Sequence, residues 1–228
     1  NKYSVMLAAM LHDIHKVLWQ KPGDDVGSQT DFALRFYEET LSQNTEAAAI
    51  KNEVFDILKG DQNPVSDLIS RAAQMEKDYS ARDSSPKRRP LLSVLSLVET
   101  TLEKPVGLFY YLPGVSDIHE INATYIKDQS GLPSDKEMVD ASQRCYNNLV
   151  NDIKSLPDLK LPQLIDTLLF LFEKHLTKTS SALYDEKPDI SLFDHLKTTT
   201  ALAPCINEAD DTSKPFLIVA ADMSGIQN

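Results

Sequence analysis

The 228-residue chain is short of cysteine, glycine and positive charge. Its two cysteines, Cys145 and Cys205, stand 60 positions apart with no CxxC spacing, which excludes a disulfide framework and a cysteine-built zinc site. The reduced state that follows is that of a cytoplasmic protein, and no charged-then-apolar leader pattern opposes that reading. Seven glycines against twelve prolines suit a mostly helical domain with proline-punctuated connections. Lysine and arginine total 23 against 34 aspartates and glutamates, a net charge of -11. A surface of that sign does not grip nucleic acid unaided. No apolar run is long enough to cross a bilayer: the longest candidate, "LIDTLLFLFEKHL", carries Asp166, Glu173 and Lys174.

What the chain does have is a 42% hydrophobic composition, enough for one sizeable core, and repeated helical periodicity. Residues 3–19 read as a buried helix, apolar on nearly every face. "TDFALRFYEETL" has the amphipathic period, with Thr30 or Asp31 as its cap. "EAAAIKNEVFDILKG" ends on Gly60 as a C-terminal stop, and "NPVSDLISRAAQMEKDYSA" starts from a proline in its first turn. "LLSVLSLVETT" is ambiguous between strand and helix, whereas "PVGLFYYLPG" favours a strand, with a short strand pair expected near 106–112. Two long helices follow over 135–177, split near "SLPDLKLP". "SLFDHLKTTTALAPCI" is a helix closed by Pro204. After the acidic stretch "EADDTSK", the run "PFLIVAADMSGIQN" reads as a strand, a turn and the opening of a further αβ unit.

Candidate chemistry begins at "LAAMLHDIHKVLWQ", where His12 and Asp13 interrupt an apolar segment. Adjacent imidazole and carboxylate groups can ligate one divalent ion, and ions so held activate water for phosphodiester hydrolysis. Two ligands do not make a site, so further ones must arrive from other helices. Otherwise the pair is a hydrogen-bonded helix feature. Asp194-His195 forms a second acidic–imidazole pair, which is either a contributor to that centre or a structural element of its helix.

Four stretches carry a family resemblance. "AAMLHDIHKVLWQ" resembles the "ALLHDIGKFxxR" opening of HD-superfamily phosphohydrolase domains. "PDISLFDHLKTTTALA" is very similar to the "PDISLYDHSKTTAAIA" of one HD-bearing family, and "FLIVAADMSGIQN" resembles the "xxGDISGIQxFIY" that opens that family's first palm. The segment running from "NPVSDLISRAAQM" to "PLLSVLS" resembles its "xDxIxxADxLASGERxxxxxxPLLSIFS". The family is the large signature subunit of type III CRISPR effector complexes, the Cas-ten family of the Csm and Cmr systems.

The resemblance implies a mainly α fold: an HD-like helical bundle followed by the first strand of a truncated, ferredoxin-like palm domain. It divides the chain into an HD-like helical core (1–100), additional helices and connector (101–206), and a linker with the palm strand (207–228). It implies an N-terminal domain of an antiviral crRNA-guided complex. Its partners would be the palm domains of the same polypeptide, small Cas subunits, crRNA and target RNA, and single-stranded DNA if the domain is a nuclease, with no membrane. The cofactor of an active HD site would be Mn, Ni, Mg or Co. The cyclic oligoadenylate synthase of the family needs a "GGDD" palm that this chain lacks.

The departures from the pattern bear on activity. His15 replaces the usual glycine, Ser28-Gln29 stands at the usual His-Ser position, "VFDILKGDQNP" lacks the usual paired histidines, and Ala72-Ala73 replaces the usual Ala-Asp. Of the usual constellation, His12 and Asp13 remain as metal ligands and residual catalytic groups. The expectation is therefore a degenerate HD site in a structural domain. Compensation through His15, Asp56, Asp67 or His195 would instead rebuild a metal-dependent single-strand DNase, and a free-standing HD phosphohydrolase is the third reading. Asp222 and Ser224, on the palm-opening motif, are nucleotide-site candidates or a turn cap. Lys87-Arg88-Arg89 is a solvated basic loop or a nucleic-acid contact. Trp19 and both cysteines are read as core.

Overall fold

The computed structural model of the chain describes residues 1–19, 28–60, 63–75, 90–93, 107–110, 124–126, 133–181 and 189–209. The expected palm strand at 216–221, Asp222, Ser224, the basic run 87–89 and most of "LLSVLSLVETT" lie outside these residues. Among the described residues the fold is an HD-like helical bundle of seven α-helices: α1 (Lys2–Leu11), α2 (Gln29–Thr40), α3 (Thr45–Lys59), α4 (Pro64–Met75), α5 (Asp135–Lys154), α6 (Leu161–Leu176) and α7 (Leu192–Glu208). A short antiparallel pair joins β1 (Gly107–Phe109) to β2 (Thr124–Ile126). The strand expected near 106–112 is therefore β1, and its partner comes from farther along the chain. An isolated bridge from Leu92 to Phe109 continues it on the other edge.

α1 is the central element. Val5, Leu7, Ala8, Ala9, Met10 and Leu11 are all buried, and the helix packs against α3, α6 and α7, while α4 also packs on α7. One apolar cluster runs from Val5 through Phe36, Tyr37, Leu149 and Phe172 to Leu196 and Ile206. Each such side chain, removed from water, contributes about 1.5–3 kcal/mol before chain entropy is counted.

The expected helix over 3–19 is corrected: α1 ends at Leu11, and a 3-10 turn occupies Ile14–Val17. Asp13 leaves the helical region (φ -117°, ψ 14°). His12 Nδ1 lies 2.7 Å from the Ala9 carbonyl, so a side chain serves an oxygen at the helix end, where backbone donors run out.

The cap of α2 is Ser28, whose hydroxyl accepts from the Asp31 amide at 3.0 Å, rather than Thr30 or Asp31. Thr30 donates instead to the Leu58 carbonyl. α3 stops at Gly60 as read, with φ 73°, a left-handed conformation that glycine adopts without strain. α7 does not stop at Pro204 but continues to Glu208. Proline removes one hydrogen bond, and burial of Ala203 and Ile206 on either side of it outweighs that local loss.

Tertiary contacts also finish the helix ends that the local sequence leaves open. Asn44 caps α3 through the Ala47 amide at 2.9 Å and donates to the Leu159 carbonyl at 2.8 Å, tying α3 to the α5–α6 connection. Lys160 stands at the N-cap of α6 but supplies no cap, and the Glu46 carboxylate accepts from the Leu161 amide at 2.8 Å in its place.

Candidate metal centre

α1 and α7 pack together in the core, and this brings His195 of the second dipeptide to His12 and Asp13, while Asp194 stays exposed beside Ser191. His195 Nε2 lies 3.0 Å from Asp13 Oδ2 and 3.3 Å from His12 Nε2; the third side of the triangle, His12 Nε2 to Asp13 Oδ2, is 3.5 Å. The two imidazole rings are tilted by 49° with centroids 5.2 Å apart. His195 is 1% exposed. It is held on the first turn of α7, which is fixed by Ser191: the serine hydroxyl accepts from the Asp194 amide, and its carbonyl accepts from the His195 amide.

Burial lowers the pKa of His12 to about 4 and outweighs the opposing pull of Asp13, so the ring is neutral at pH 7. A carbonyl can only accept, so Nδ1 carries the proton given to Ala9 and Nε2 is left with its lone pair toward the triangle. Fixing the tautomer of one nitrogen through the other is how ligand histidines are oriented. Burial alone would raise the Asp13 carboxyl. The hydrogen bond from His195 and the paired, hydrogen-bonded Lys16 ammonium hold it well below the usual carboxylate range.

Asp13, His12 and His195 form the group of potential ligands among the described residues, with ligand atoms within 4.8 Å of one another. The donor atoms of a tetrahedral ion with bonds of about 2.05 Å are separated by about 3.3 Å. Edges of 3.0, 3.3 and 3.5 Å fit one such ion, and two imidazoles with one carboxylate suit Mn, Fe, Co, Ni or Zn.

The other sequence candidates stand apart. Asp56 and Asp67 are exposed on α3 and α4. α3 buries Ala47, Ile50, Val54 and Ile57, and that period turns position 56 outward. His15 is buried in the 3-10 turn, outside the group of three. Trp19 is buried as read, its backbone amide donating to Ser142 Oγ at 2.8 Å. Cys145 is a buried thiol pushed up to about 12 by burial, but Cys205 is exposed on α7, contrary to the core reading.

Sequence reasoning missed Lys16. Its ammonium sits 2.5 Å from Asp13 Oδ2, the oxygen that also faces both imidazoles. The signal was its place three residues after Asp13, within side-chain reach on a helical turn. A cavity of about 290 Å³ opens beside His12 and Asp13, with Gln29, Thr30, Ser66, Ser70 and Gln74 as its polar lining and Ala73 among its apolar lining.

Fold and centre together define the class: an HD-like helical bundle with a His–Asp–His group of which His12 and Asp13 line a cavity. Among solved structures the same fold occurs in Csm1. The chain superimposes with a TM-score of 0.58 and 21% identity on Csm1 of a Csm1-Csm4 subcomplex in the type III-A CRISPR-Csm interference complex, over 93% of this chain and 28% of that one. It matches Csm1 in T.onnurineus with a TM-score of 0.54 and 19% identity, over 93% and 29%. A Csm1-Csm4 cassette in complex with pppApApA gives 0.58 and 20% over the same shares. The chain thus spans under a third of the solved chains it matches. No family model and no curated protein matches it.

Proposed function

We propose that the chain is the HD-like domain of a Csm1-type large subunit of a type III CRISPR effector complex, and that His12, Asp13 and His195 hold one divalent ion there. The observation that carries the ion-binding reading is His195 Nε2 standing 3.0 and 3.3 Å from the other two ligand atoms across 182 and 183 residues of chain. The bound ion would supply Lewis-acid activation of water or of a phosphodiester oxygen. The residues do the rest. His12 offers a neutral Nε2, Asp13 supplies the anionic charge, and burial of His195 limits competition from water. One ion is the reading, because no further His, Cys, Asp or Glu among the described residues joins the three. The acidic chain relies on the rest of the complex, with its Cas subunits, palm domains, crRNA and target RNA, to present a single strand to the cavity.

A second reading has its own observation. Lys16 and His195 already satisfy Asp13, so the three side chains can also stand as a structural remnant without an ion. Mn²⁺ calorimetry on the chain and on His195→Ala separates the two. Micromolar binding that is lost in the variant supports the centre and calls for a single-strand DNA cleavage assay. Heat indistinguishable from buffer in the wild-type chain leaves the remnant.

A further inference from the structure

We infer that Lys16 is an internal rival of the metal ion: its ammonium pairs with Asp13 and so lowers the affinity of the centre for a divalent cation. The inference rests on the one-ion reading of the same site.

The geometry is that of two cations competing for one oxygen. Asp13 Oδ2 receives the Lys16 ammonium at 2.5 Å and faces His195 Nε2 at 3.0 Å and His12 Nε2 at 3.5 Å. An ion bonded to that oxygen at about 2 Å would stand within about 4–5 Å of the ammonium. At such a separation a double and a single positive charge repel strongly, and the side chains of Lys16 and Asp13, 11% and 13% exposed, are only weakly screened. A single carboxylate cannot neutralise both. The backbone gives Lys16 little room to retreat: its amide donates to the Asp13 carbonyl at 3.0 Å within the 3-10 turn, so withdrawal must come from the side-chain stem.

The pairing also has a stabilising role when no ion is present. A carboxylate this deeply placed needs a counter-charge, and Lys16 provides it. The centre therefore has two arrangements: Lys16 on Asp13 with no ion, or the ion on Asp13 with Lys16 displaced. Binding includes the cost of breaking the first, so Lys16 sets the ion concentration at which the centre fills.

The test is Mn²⁺ calorimetry on the 228-residue chain and its Lys16→Met and Lys16→Arg variants, stripped of metal with chelator and checked for fold by circular dichroism. Lys16→Met keeps the buried stem and removes the charge; it is expected to bind Mn²⁺ at least tenfold more tightly than wild type, with Lys16→Arg within about threefold of wild type. Thermal melts give an independent readout, with Lys16→Met less stable than wild type in chelator and raised further by Mn²⁺. If Lys16→Met fails to fold, Lys16→Gln carries the same expectation. Equal or weaker binding by the folded uncharged variant overturns the inference and leaves the metal centre standing. Binding by the uncharged variant alone supports it, and means that Lys16 closes the wild-type centre. Absence of binding in every form overturns the one-ion reading and this inference together.

Discussion

Acidification from pH 7 to pH 5 is expected to destabilise the metal-free protein by roughly 2 kcal/mol through His12 alone. In the folded chain burial lowers this imidazole to about 4, whereas the unfolded chain holds it near the ordinary histidine value of 6.5. Between those values the unfolded state binds a proton that the native state refuses. Stability then falls as pH falls, beginning near 6.5 and levelling off below about 4. At pH 5 the unfolded His12 is almost fully protonated and the native one about a tenth protonated, a linkage of roughly 2 kcal/mol; at pH 7 it is only a few tenths. Asp13 does not confuse the window. Its native pKa is depressed, so its contribution is intact above the unfolded value of 3.8 and is lost only at lower pH. The assay is urea unfolding in chelator at pH 7, 6 and 5 for wild type and His12→Gln, which keeps a polar side chain that does not titrate. The wild type should lose about 2 kcal/mol more than the variant over this range. Parallel pH profiles for the two proteins would refute the buried neutral His12 and, with it, the tautomer assigned from the Ala9 contact.

Two further outcomes follow from the packing. Asn44→Ala removes both the Ala47 cap and the bond to Leu159, and is expected to cost about 1–2 kcal/mol in denaturant unfolding, because Asn44 is 6% exposed and both contacts are lost together. A colorimetric thiol reagent should label one cysteine of the native chain quickly, exposed Cys205, and the second only on unfolding, because Cys145 is buried with its thiol pushed up to about 12. Cys205→Ser is expected to remove the fast phase.

Much of the helical layout was legible in the sequence because its signals are local. Gly60 stops α3 where a residue of positive φ is needed, Pro64 opens α4, and Ser134 with Glu137 forms a capping box on α5. The misreadings arose where tertiary contacts override a local signal. α1 looked continuous to residue 19 because its apolar run continues, but Asp13 is drawn out of helical geometry where His195 and Lys16 bond its carboxylate. Pro204 looked like a terminator because the local rule ignores the buried neighbours that carry the helix on. Cys205 looked like core because residue type alone does not tell which face of α7 it occupies.

The sequence by itself determined that the chain is a helical bundle with little use for cysteine, and that it carries two adjacent His/Asp pairs, His12-Asp13 and Asp194-His195. It also determined the chemistry available to them, since imidazole and carboxylate are the groups that hold borderline divalent ions. Only the tertiary structure decided that His195 joins His12 and Asp13, that Asp56 and Asp67 stay at the surface, and that Lys16 takes the same oxygen as the would-be ion. Spacing along a chain reports which residues share a face of one helix. Whether faces separated by about 180 residues meet depends on how α1 and α7 cross, and the shapes of buried side chains throughout the core set that crossing.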